Sequence, residues 1–450
     1  MARTKSVYVC QNCGAESPKW IGRCHSCGQW NTYVEQVISR GSASFAENKS
    51  NAEPFHLGEV QPEKVARIDL MNDEFNRVLG GGIVPGSVIL IGGEPGIGKS
   101  TLALQVAMKT GIKTLYISGE ESPQQLRLRA DRLGGDGGEC LVLAETGLNA
   151  ILNRVTEIKP GLLIVDSIQT LVADEIESAP GSISQVRECA ARLLKMAKET
   201  HIPVILIGHI TKEGSIAGPK VLEHIVDCVL QFEGDSHHIY RILRASKNRF
   251  GATSEIGVFE MTGEGLHQIK NPSELLINQH PPDLSGSAIA ANVEGIRPFM
   301  IEVQALVSTA VYGTPQRTST GFDIRRLSML LAVLEKRASF KLATRDVFIN
   351  IAGGLRVDDP AIDLAVVAAV LSSSVDIPIN QLTCFAGEVG LSGEVRPVSR
   401  IEQRLGEADK LGMKKILLPG FNRKRVDPGR YGLEILEINR VQEIPKHLFG

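Results

Sequence analysis

The architecture of this chain follows from one segment, Val88-Ile89-Leu90-Ile91-Gly92-Gly93-Glu94-Pro95-Gly96-Ile97-Gly98-Lys99-Ser100-Thr101. Its first four residues are apolar and predict a buried strand. The residues from Gly93 to Ser100 match the pattern G-x-x-x-x-G-K-[ST], and a helical stretch at 99–110 follows directly. A glycine-rich turn between a strand and a helix lets backbone N–H groups and the helix N-terminus surround a polyphosphate. The segment therefore predicts ATP binding.

Each residue of the turn receives a predicted role from this chemistry. Lys99 is expected on the β- and γ-phosphate oxygens, and Ser100 on Mg2+. The predicted nucleotide-binding residues are Gly93, Glu94, Pro95, Gly96, Ile97, Gly98, Lys99, Ser100 and Thr101.

Apolar runs alternate with helical stretches from about residue 66 to about residue 270. The runs lie at 87–92, 114–118, 162–166, 204–208, 228–233 and 239–245, and a clear helical pattern covers 183–200. Such alternation predicts a mostly parallel sheet covered by helices, which is the α/β class. No internal repeat of a solenoid period is present.

Carboxylates follow two of these predicted strands. Asp166 ends the run Leu162-Leu163-Ile164-Val165, where it is expected to hold Mg2+; a capping aspartate on a buried strand is the alternative, and the upstream phosphate loop favours the metal role. Glu120 follows the run at 114–118 and is the expected base that polarises the attacking water, with Glu121 as the alternative. His209, after the run at 204–208, is either a γ-phosphate sensor or an ordinary loop histidine.

Two cysteine pairs mark the N-terminal region, Cys10-x-x-Cys13 and Cys24-x-x-Cys27. Two such pairs can form a closed tetrahedral S4 site, which predicts a structural zinc site; a redox dithiol or iron remains the alternative. The predicted C4 zinc finger covers residues 1–30, followed by a polar linker at 31–65. Its cations, Arg3, Lys5, Lys19 and Arg23, leave phosphate contact and protein docking equally open.

Length, net charge and the lengths of apolar runs further restrict the class of protein that we expect. The chain has 450 residues, enough for two sizeable domains and a small module. Its formal net charge of -2 means that any nucleic-acid site must be a local basic patch. No apolar run reaches the length of a membrane span, and no signal-peptide pattern opens the chain. A cytoplasmic protein without membrane attachment is expected.

Three motifs together carry a resemblance to a known family. The lead-in Leu79-Gly80-Gly81-Gly82-Ile83-Val84-Pro85-Gly86-Ser87 is similar to that of RecA-fold ATPases. With the cysteine module and Lys247-Asn248-Arg249-Phe250-Gly251, it resembles the bacterial RadA (Sms) family of DNA repair proteins over nearly the whole chain. The resemblance implies that Lys99, Ser100, Glu120 and Asp166 run ATP hydrolysis, and that Cys10, Cys13, Cys24 and Cys27 bind zinc.

The resemblance also implies an assembly and its partners. A homo-hexameric ring would move along single-stranded DNA and drive branch migration of recombination intermediates, with a recombinase as the expected protein partner. Lys247 and Arg249 would act on the nucleotide of the neighbouring subunit. They belong to a basic run, Arg241, Arg244, Lys247 and Arg249, whose alternative interpretation is a solvated charge run. The segments 169–184 and 211–221 are expected to be mobile loops facing the ring axis, with Lys212 and Lys220 as DNA contacts.

Residues from about 288 to 450 resemble a Lon-type protease domain, which uses a serine nucleophile and a lysine base. Ala361 stands at the nucleophile position within Asp358-Asp359-Pro360-Ala361-Ile362-Asp363, and Glu402 stands at the lysine position. We therefore expect no peptidase activity and a role in ring assembly. The predicted fold is thus a RecA-type ATPase core at 66–270 with an N-terminal zinc finger and a Lon-protease-like α/β domain at 288–450.

Basic residues are dense near the start of this last region. They are expected to form either a DNA surface or an ordinary salt-bridged helix face. They are Arg317, Arg325, Arg326, Lys336, Arg337, Lys341 and Arg345. Two other functions remain open: an ATP-dependent protease or chaperone, and an ATP-switched assembly protein that does not move on DNA.

Overall fold

The computed structural model describes residues 4–10, 15–26, 28–39, 66–208, 220–234, 240–277, 284–310 and 315–449. The chain divides into two compact units. One comprises Met1–Ser236 with Arg241–Gln268, and the other comprises His237–Tyr240 with Ile269–Gly450. Among the described residues, no helix combines the length and the apolar character needed to cross a membrane.

The N-terminal ribbon is a three-stranded antiparallel sheet in the order β2-β1-β3. Its strands are β1 (Thr4–Cys10), β2 (Glu16–Ser17) and β3 (Tyr33–Ser39). Strand β3 lies in the stretch 31–65 that the sequence analysis assigned to a linker. It is rich in strand-forming residues, with Tyr33, Val34, Val37 and Ile38, and it pairs along its whole length with β1, so residues 33–39 are part of the ribbon.

The first unit contains a nine-stranded sheet in the order β12-β11-β10-β9-β4-β8-β7-β5-β6. Its strands are β4 (Val88–Gly93), β5 (Thr114–Ser118), β6 (Cys140–Ala144), β7 (Leu162–Asp166), β8 (Val204–Ile207), β9 (Cys228–Glu233), β10 (Tyr240–Asn248), β11 (Ile256–Thr262) and β12 (Gly265–Gln268). Its helices are α1 (Asp73–Leu79), α2 (Lys99–Lys109), α3 (Pro123–Arg132), α4 (Leu148–Ile158), α5 (Ile183–Thr200) and α6 (Lys220–Ile225).

The centre of this sheet is parallel, as the alternation of apolar runs predicts. Strand β4 pairs in parallel with β8 and β9, β8 with β7, and β7 with β5. Strands β4, β7 and β8 are almost wholly buried because helices cover both faces of the sheet. Since parallel strands end at one edge, the residues that follow β4, β5 and β7 meet there.

The second unit contains a seven-stranded sheet in the order β15-β16-β14-β13-β17-β20-β21 and a short hairpin, β18-β19. Its strands are β13 (Ser287–Glu294), β14 (Arg297–Thr309), β15 (Arg317–Thr320), β16 (Arg345–Ile351), β17 (Thr383–Phe385), β18 (Glu388–Val389), β19 (Val395–Arg396), β20 (Lys415–Pro419) and β21 (Glu434–Ile438). Its helices are α7 (Pro272–Leu276), α8 (Ile324–Ala338), α9 (Asp363–Val375), α10 (Ile401–Lys410), α11 (Gly420–Arg423) and α12 (Ile444–Phe449).

Helix α9 is the central helix of this second unit. Its residues from Asp363 to Ser372 are all buried, because its sequence is apolar on nearly every side. It contacts β13 and β14, so a fully buried helix lies against a mixed sheet.

Candidate functional site

The turn between β4 and α2 has the backbone that phosphate binding requires. Gly98 precedes α2 with a φ of 118°, and it provides no side-chain cap to the first helical turn. Residues with a Cβ rarely adopt this φ, so the position favours glycine, and a Cβ there would also lie 2.6 Å from the terminal methyl of Met261. The uncapped N–H groups at the start of α2 are therefore suited to phosphate oxygens.

Lys99 lies inside this turn with only 4% of its surface exposed. Its Nζ donates to the carbonyl oxygens of Gly93 and Glu94, both at 2.8 Å. Burial lowers the pKa of Lys99 to about 8, against the opposing fields of Asp166, Glu120 and Glu94. The ammonium group is thus poorly hydrated and lies close to the acidic residues that follow the neighbouring strands.

Asp166 ends β7 beside the end of β5, since Ser118 and Asp166 are paired in register. The hydroxyl of Tyr116, on β5, donates to Oδ2 of Asp166 at 2.6 Å. Tyr116 is completely buried, and burial together with Asp166 raises its pKa well above the usual value, so it remains a donor. Tyr116 was not predicted as a site residue, because a tyrosine in the middle of a buried strand is also what ordinary core packing requires.

The two glutamates that follow β5 have different partners. The hydroxyl of Ser167 donates to Oε1 of Glu120 at 2.9 Å. Glu121 forms an ion pair with Arg129 of α3. Burial raises the pKa of Glu121, while Arg129 opposes that change. Glu121 is therefore engaged with α3, and Glu120 lies with Lys99 and Asp166.

Lys247 and Arg249, expected to act on a neighbouring subunit, contact their own chain in this structure. Lys247 Nζ donates to the carbonyl oxygens of Glu223 and Val226, at 2.7 and 2.8 Å, where α6 ends. Burial, and then the charge of Arg249, lowers the pKa of Lys247. Arg249 lies 3.4 Å from the buried carboxylate of Asp227.

The other two cations of the basic run are also engaged within the chain. Arg241 is 5% exposed, and its Nε donates to the carbonyl oxygen of Ile97 inside the phosphate-binding turn. Arg244 pairs with Glu233 at 3.3 Å. The interpretation as a solvated charge run is therefore wrong for Arg241, which supports the turn from the neighbouring strands.

The segment 169–184, expected to be a mobile loop, is anchored to the core at residues 171 and 173, whereas residues 174–181 are mostly exposed. Leu171 and Ala173 are completely buried. The side-chain amide of Gln185 accepts from the N–H of Ala173 at 2.8 Å and donates to the carbonyl of Ile176 at 2.8 Å. The glycine- and serine-rich composition concealed these apolar anchors. His209, Lys212 and most of the segment 211–221 lie outside the described residues, and Lys220 begins α6.

The ribbon contains two of the four predicted zinc ligands within the described residues, whereas Cys13 and Cys27 lie outside them. Cys10 and Cys24 are 0% and 1% exposed and pack with Tyr33 in a small core. The Sγ of Cys10 lies 3.1 Å from the hydroxyl of Thr32, and the Sγ of Cys24 lies 3.5 Å from that of Tyr33. Two buried thiols, one at the end of β1 and one in the loop before β3, suit a closed structural site.

The predicted remnant of a protease dyad lies in the second unit. Ala361 is completely buried in a single 3-10 turn at Pro360–Ile362 that Asp359 caps. Glu402 lies exposed in the first turn of α10. Of the basic residues near α8, Arg326 forms an ion pair with the buried Asp363 and therefore neutralises a charge in the interior of the second unit.

A parallel sheet with a phosphate-binding turn, and carboxylates at the ends of the neighbouring strands, defines a RecA-like P-loop ATPase. An AAA domain family model matches residues 54–215, a rubredoxin metal binding domain model matches 8–35, and the model of subunit ChlI of Mg-chelatase matches 303–422. The chain belongs to the RadA family of DNA repair proteins. The α/β class, the N-terminal ribbon and the ChlI-like domain in the region predicted to be Lon-protease-like are thereby confirmed.

Relatives cover the chain from end to end. It is 50% identical to DNA repair protein RadA of Bacillus subtilis (strain 168) over all of both chains. It is 49% identical to the RadA protein of Halalkalibacterium halodurans over 94% of both chains. The RadA protein of Streptococcus pyogenes serotype M1 is 46% identical over all of both chains.

Two solved structures are similar to part of the chain. A KaiC-like protein from Pyrococcus horikoshii OT3 shares 22% identity with a TM-score of 0.38, covering 46% of this chain and 99% of that one. The RadB recombinase shares 22% identity with a TM-score of 0.37, covering 45% of this chain and all of that one. Scores this low support no further conclusion.

Proposed function

We propose that this chain hydrolyses ATP at the turn between β4 and α2 and uses the energy to move along single-stranded DNA during recombinational repair. One observation carries the proposal: Lys99, Asp166 and Glu120 come from three separate segments and lie at one edge of the sheet, within each other's electrostatic influence. A site built only for packing would not gather a buried lysine and two carboxylates beside a glycine-rich turn.

Each residue then has a defined task. The turn from Gly93 to Thr101 holds the phosphates, with Lys99 exchanging its two carbonyl partners for phosphate oxygens. Ser100 and Asp166 would hold Mg2+, which neutralises charge on the β- and γ-phosphates. Glu120 would orient the attacking water, because the ion pair to Arg129 already occupies Glu121.

The ribbon would hold Zn2+ through Cys10, Cys13, Cys24 and Cys27. The match to a metal-binding domain over residues 8–35 includes all four cysteines, and the burial of Cys10 and Cys24 fits a closed site. Zinc would stabilise this small sheet, whose own core is too small to fold unaided.

We also propose a homo-hexameric ring in which Lys247 and Arg249 reach the nucleotide of the adjacent subunit. Their present partners are two carbonyl oxygens and one carboxylate, which a phosphate can replace. Such a ring would promote branch migration of recombination intermediates alongside a recombinase. The names of the relatives, all DNA repair proteins, support this setting.

The second unit would act as an assembly scaffold without peptidase activity. The Ala361 methyl group cannot attack a carbonyl, and a glutamate at position 402 brings the wrong charge for a base that replaces lysine. Incubation with an unfolded protein substrate and ATP should therefore leave that substrate intact.

The ATPase rate with and without single-stranded DNA tests the central proposal. The unmodified chain should be stimulated by DNA, with a stimulation that falls as salt rises. Lys99→Ala should abolish hydrolysis, whereas Lys109→Ala, an exposed lysine at the end of the same helix, should not. Lys247→Ala should impair DNA-coupled work.

Two outcomes would contradict the proposal. Failure of the purified chain to bind ATP would remove the site. Hydrolysis at a rate indifferent to DNA would leave an ATP-switched assembly protein rather than a motor.

A further inference from the structure

The ribbon carries the only two tryptophans of the chain, Trp20 and Trp30, and both lie on its surface. Their exposed fractions are 53% and 67%. Tryptophan is normally buried over most of its surface, because its large ring gains more from leaving water than other side chains do. Two such rings on one small module therefore indicate a ligand rather than a core.

The two rings flank one glycine. A Cβ placed on Gly22 would lie 3.7 Å from Cη2 of Trp20 and 3.7 Å from Cζ3 of Trp30. Glycine thus leaves open the space beside both rings. Because each ring lies about one van der Waals contact from the same point, the nearest atoms of the two rings are no more than about two such contacts apart. The two aromatic surfaces form one site, which we call the tryptophan pair.

Backbone hydrogen bonds hold this pair in place. The N–H of Asn31 donates to the carbonyl of Gly22 at 2.7 Å, and the N–H of Cys24 donates to the carbonyl of Gln29 at 2.8 Å. Arg23 and Trp30 face each other in an isolated antiparallel bridge. Because the loop between them is closed by these bonds, little conformational entropy would be lost when a ligand contacts the rings.

A cation accompanies each ring. The Arg23 guanidinium lies 5.8 Å from the centre of the Trp30 ring, and its Nε donates to the carbonyl of Gly28. Lys19 precedes Trp20 in the chain and is exposed. Neither cation makes an ion pair with a residue that the structure describes, so both remain available to an anion.

Aromatic faces that alternate with cations match one ligand class. A single strand of nucleic acid presents a base and a phosphate at each step, and every base has a π-face that is open only when it is unpaired. The two cations beside the rings have no acidic partner among the described residues, so the local charge favours an anionic strand over a neutral protein surface. We propose that Trp20 and Trp30 stack on unpaired bases of single-stranded DNA, while Lys19 and Arg23 contact the flanking phosphates.

The choice of single-stranded DNA as the ligand rests on the proposed function. The experiment below distinguishes failure of the stacking site from failure of the proposed function. Since no other tryptophan exists in the chain, tryptophan fluorescence of the full-length protein reports on this site alone. Titration with an oligodeoxythymidine should quench that fluorescence. An abasic oligonucleotide of equal length, and a duplex, should not, although a labelled-oligonucleotide anisotropy assay shows whether they bind elsewhere.

Variants assign the effect to each ring. Trp20→Ala and Trp30→Ala should each weaken single-strand binding roughly tenfold, within the range known for base stacking, and Trp→Phe at either position should restore most of it. Gly22→Leu keeps both tryptophans but fills the space beside them, so it should lower quenching as well. Val34→Ala, at another exposed apolar residue of the ribbon, is the matched control and should change nothing. Bound zinc is measured in each variant to verify that the ribbon is folded.

Lys99→Ala should retain full quenching, because stacking needs no nucleotide hydrolysis. Quenching in the unmodified chain without DNA-stimulated ATPase would overturn the motor and leave the stacking site intact. Saturating single-stranded DNA that leaves the fluorescence unchanged would overturn the stacking proposal. Equal quenching by abasic DNA would overturn it too. Loss of DNA repair in Trp20→Ala with unchanged DNA binding would assign the rings to a protein partner instead.

Discussion

The hydroxyl of Tyr116 fixes one oxygen of Asp166, the carboxylate that we propose as a magnesium ligand. It binds Oδ2 at 2.6 Å from a completely buried ring, so this oxygen is committed and the carboxylate cannot rotate freely. A fixed carboxylate loses no orientational freedom when a metal ion arrives. Tyr116 is therefore a positioning residue for the magnesium site that we propose.

Removal of this hydroxyl gives the first prediction. Tyr116→Phe should raise the Mg2+ concentration needed for half-maximal ATPase about tenfold, in line with the roughly 1.5 kcal/mol that a hydrogen bond to a charged group contributes. The affinity for ATP without metal should stay nearly constant. Tyr431→Phe, a half-buried tyrosine of the second unit, is the control. An unchanged Mg2+ requirement would show that the hydroxyl has no positioning role.

The adjacent glutamates give the second prediction. Glu120→Gln should reduce hydrolysis by a factor on the order of 10²–10⁴ while ATP still binds, because the amide cannot accept a proton from water. Glu121→Gln should weaken the ion pair to Arg129 and change the rate far less. Single-turnover hydrolysis measures both variants. A larger loss in Glu121→Gln would transfer the role of base to that residue.

At the scale of elements, one buried carboxylate joins three of them. Asp227 is 1% exposed, and it accepts from the N–H of Val88 in β4 at 3.0 Å and from Lys198 of α5 at 2.8 Å. Arg249, just after β10, is its third partner. The strand that leads to the phosphate-binding turn is thus tied to the segment that contains Lys247 and Arg249.

Loss of this connection gives the third prediction. Asp227→Ala should lower the free energy of unfolding of the first unit by about 3 kcal/mol, because it leaves the buried N–H of Val88 unsatisfied and two cations without a partner. Lys198 and Arg249 are about half exposed, so solvent screens their share. Asp131→Ala, which breaks an exposed pair within α3, should cost less than about 0.5 kcal/mol. Urea unfolding that shows equal effects for the two variants would contradict this account.

At the scale of the whole molecule, the decisive question is whether Lys247 works within its chain or on a neighbour. In the single chain it caps the carbonyl end of α6, which is a favourable place for a cation. In a ring, the nucleotide of the neighbouring subunit would offer Lys247 a phosphate of higher charge. Lys247 would then exchange its two carbonyl oxygens for that phosphate. In the first state Lys247 binds its own subunit, and in the second it would bind the nucleotide of the neighbouring subunit.

Mixing inactive subunits gives the fourth prediction. Lys99→Ala and Lys247→Ala chains, each inactive in DNA-coupled hydrolysis, should recover part of the activity when they are combined. A Lys247→Ala subunit retains its own phosphate-binding turn and can receive the lysine of a Lys99→Ala neighbour. Light scattering should show the six-chain assembly in both preparations. No recovery in assembled mixtures would place the action of Lys247 within its own chain.

Many strands and helices of the first unit could be predicted from local sequence patterns. The strand at 162–166 and the helix at 183–200 coincide with the structure because apolar periodicity and turn residues are short-range signals. Strand β4 begins one residue later than the predicted run at 87–92, a difference within the usual uncertainty of strand ends. In the segment 169–184, which stays a predicted loop, the two buried anchors Leu171 and Ala173 were not recognised because two apolar residues are too short a run to predict a buried stretch.

The sequence by itself determined the phosphate-binding turn, the alternation of strands and helices, and the cysteine pairs, because each depends on residues close together in the chain. Only the tertiary structure decided which side chains meet: Tyr116 with Asp166, Arg129 with Glu121, Arg249 with Asp227, and the two tryptophans around Gly22. The first and third contacts depend on how the strands are ordered in the sheet, and the other two depend on how a short loop closes. No local pattern encodes them, because the same spacing is compatible with many registers and many partners.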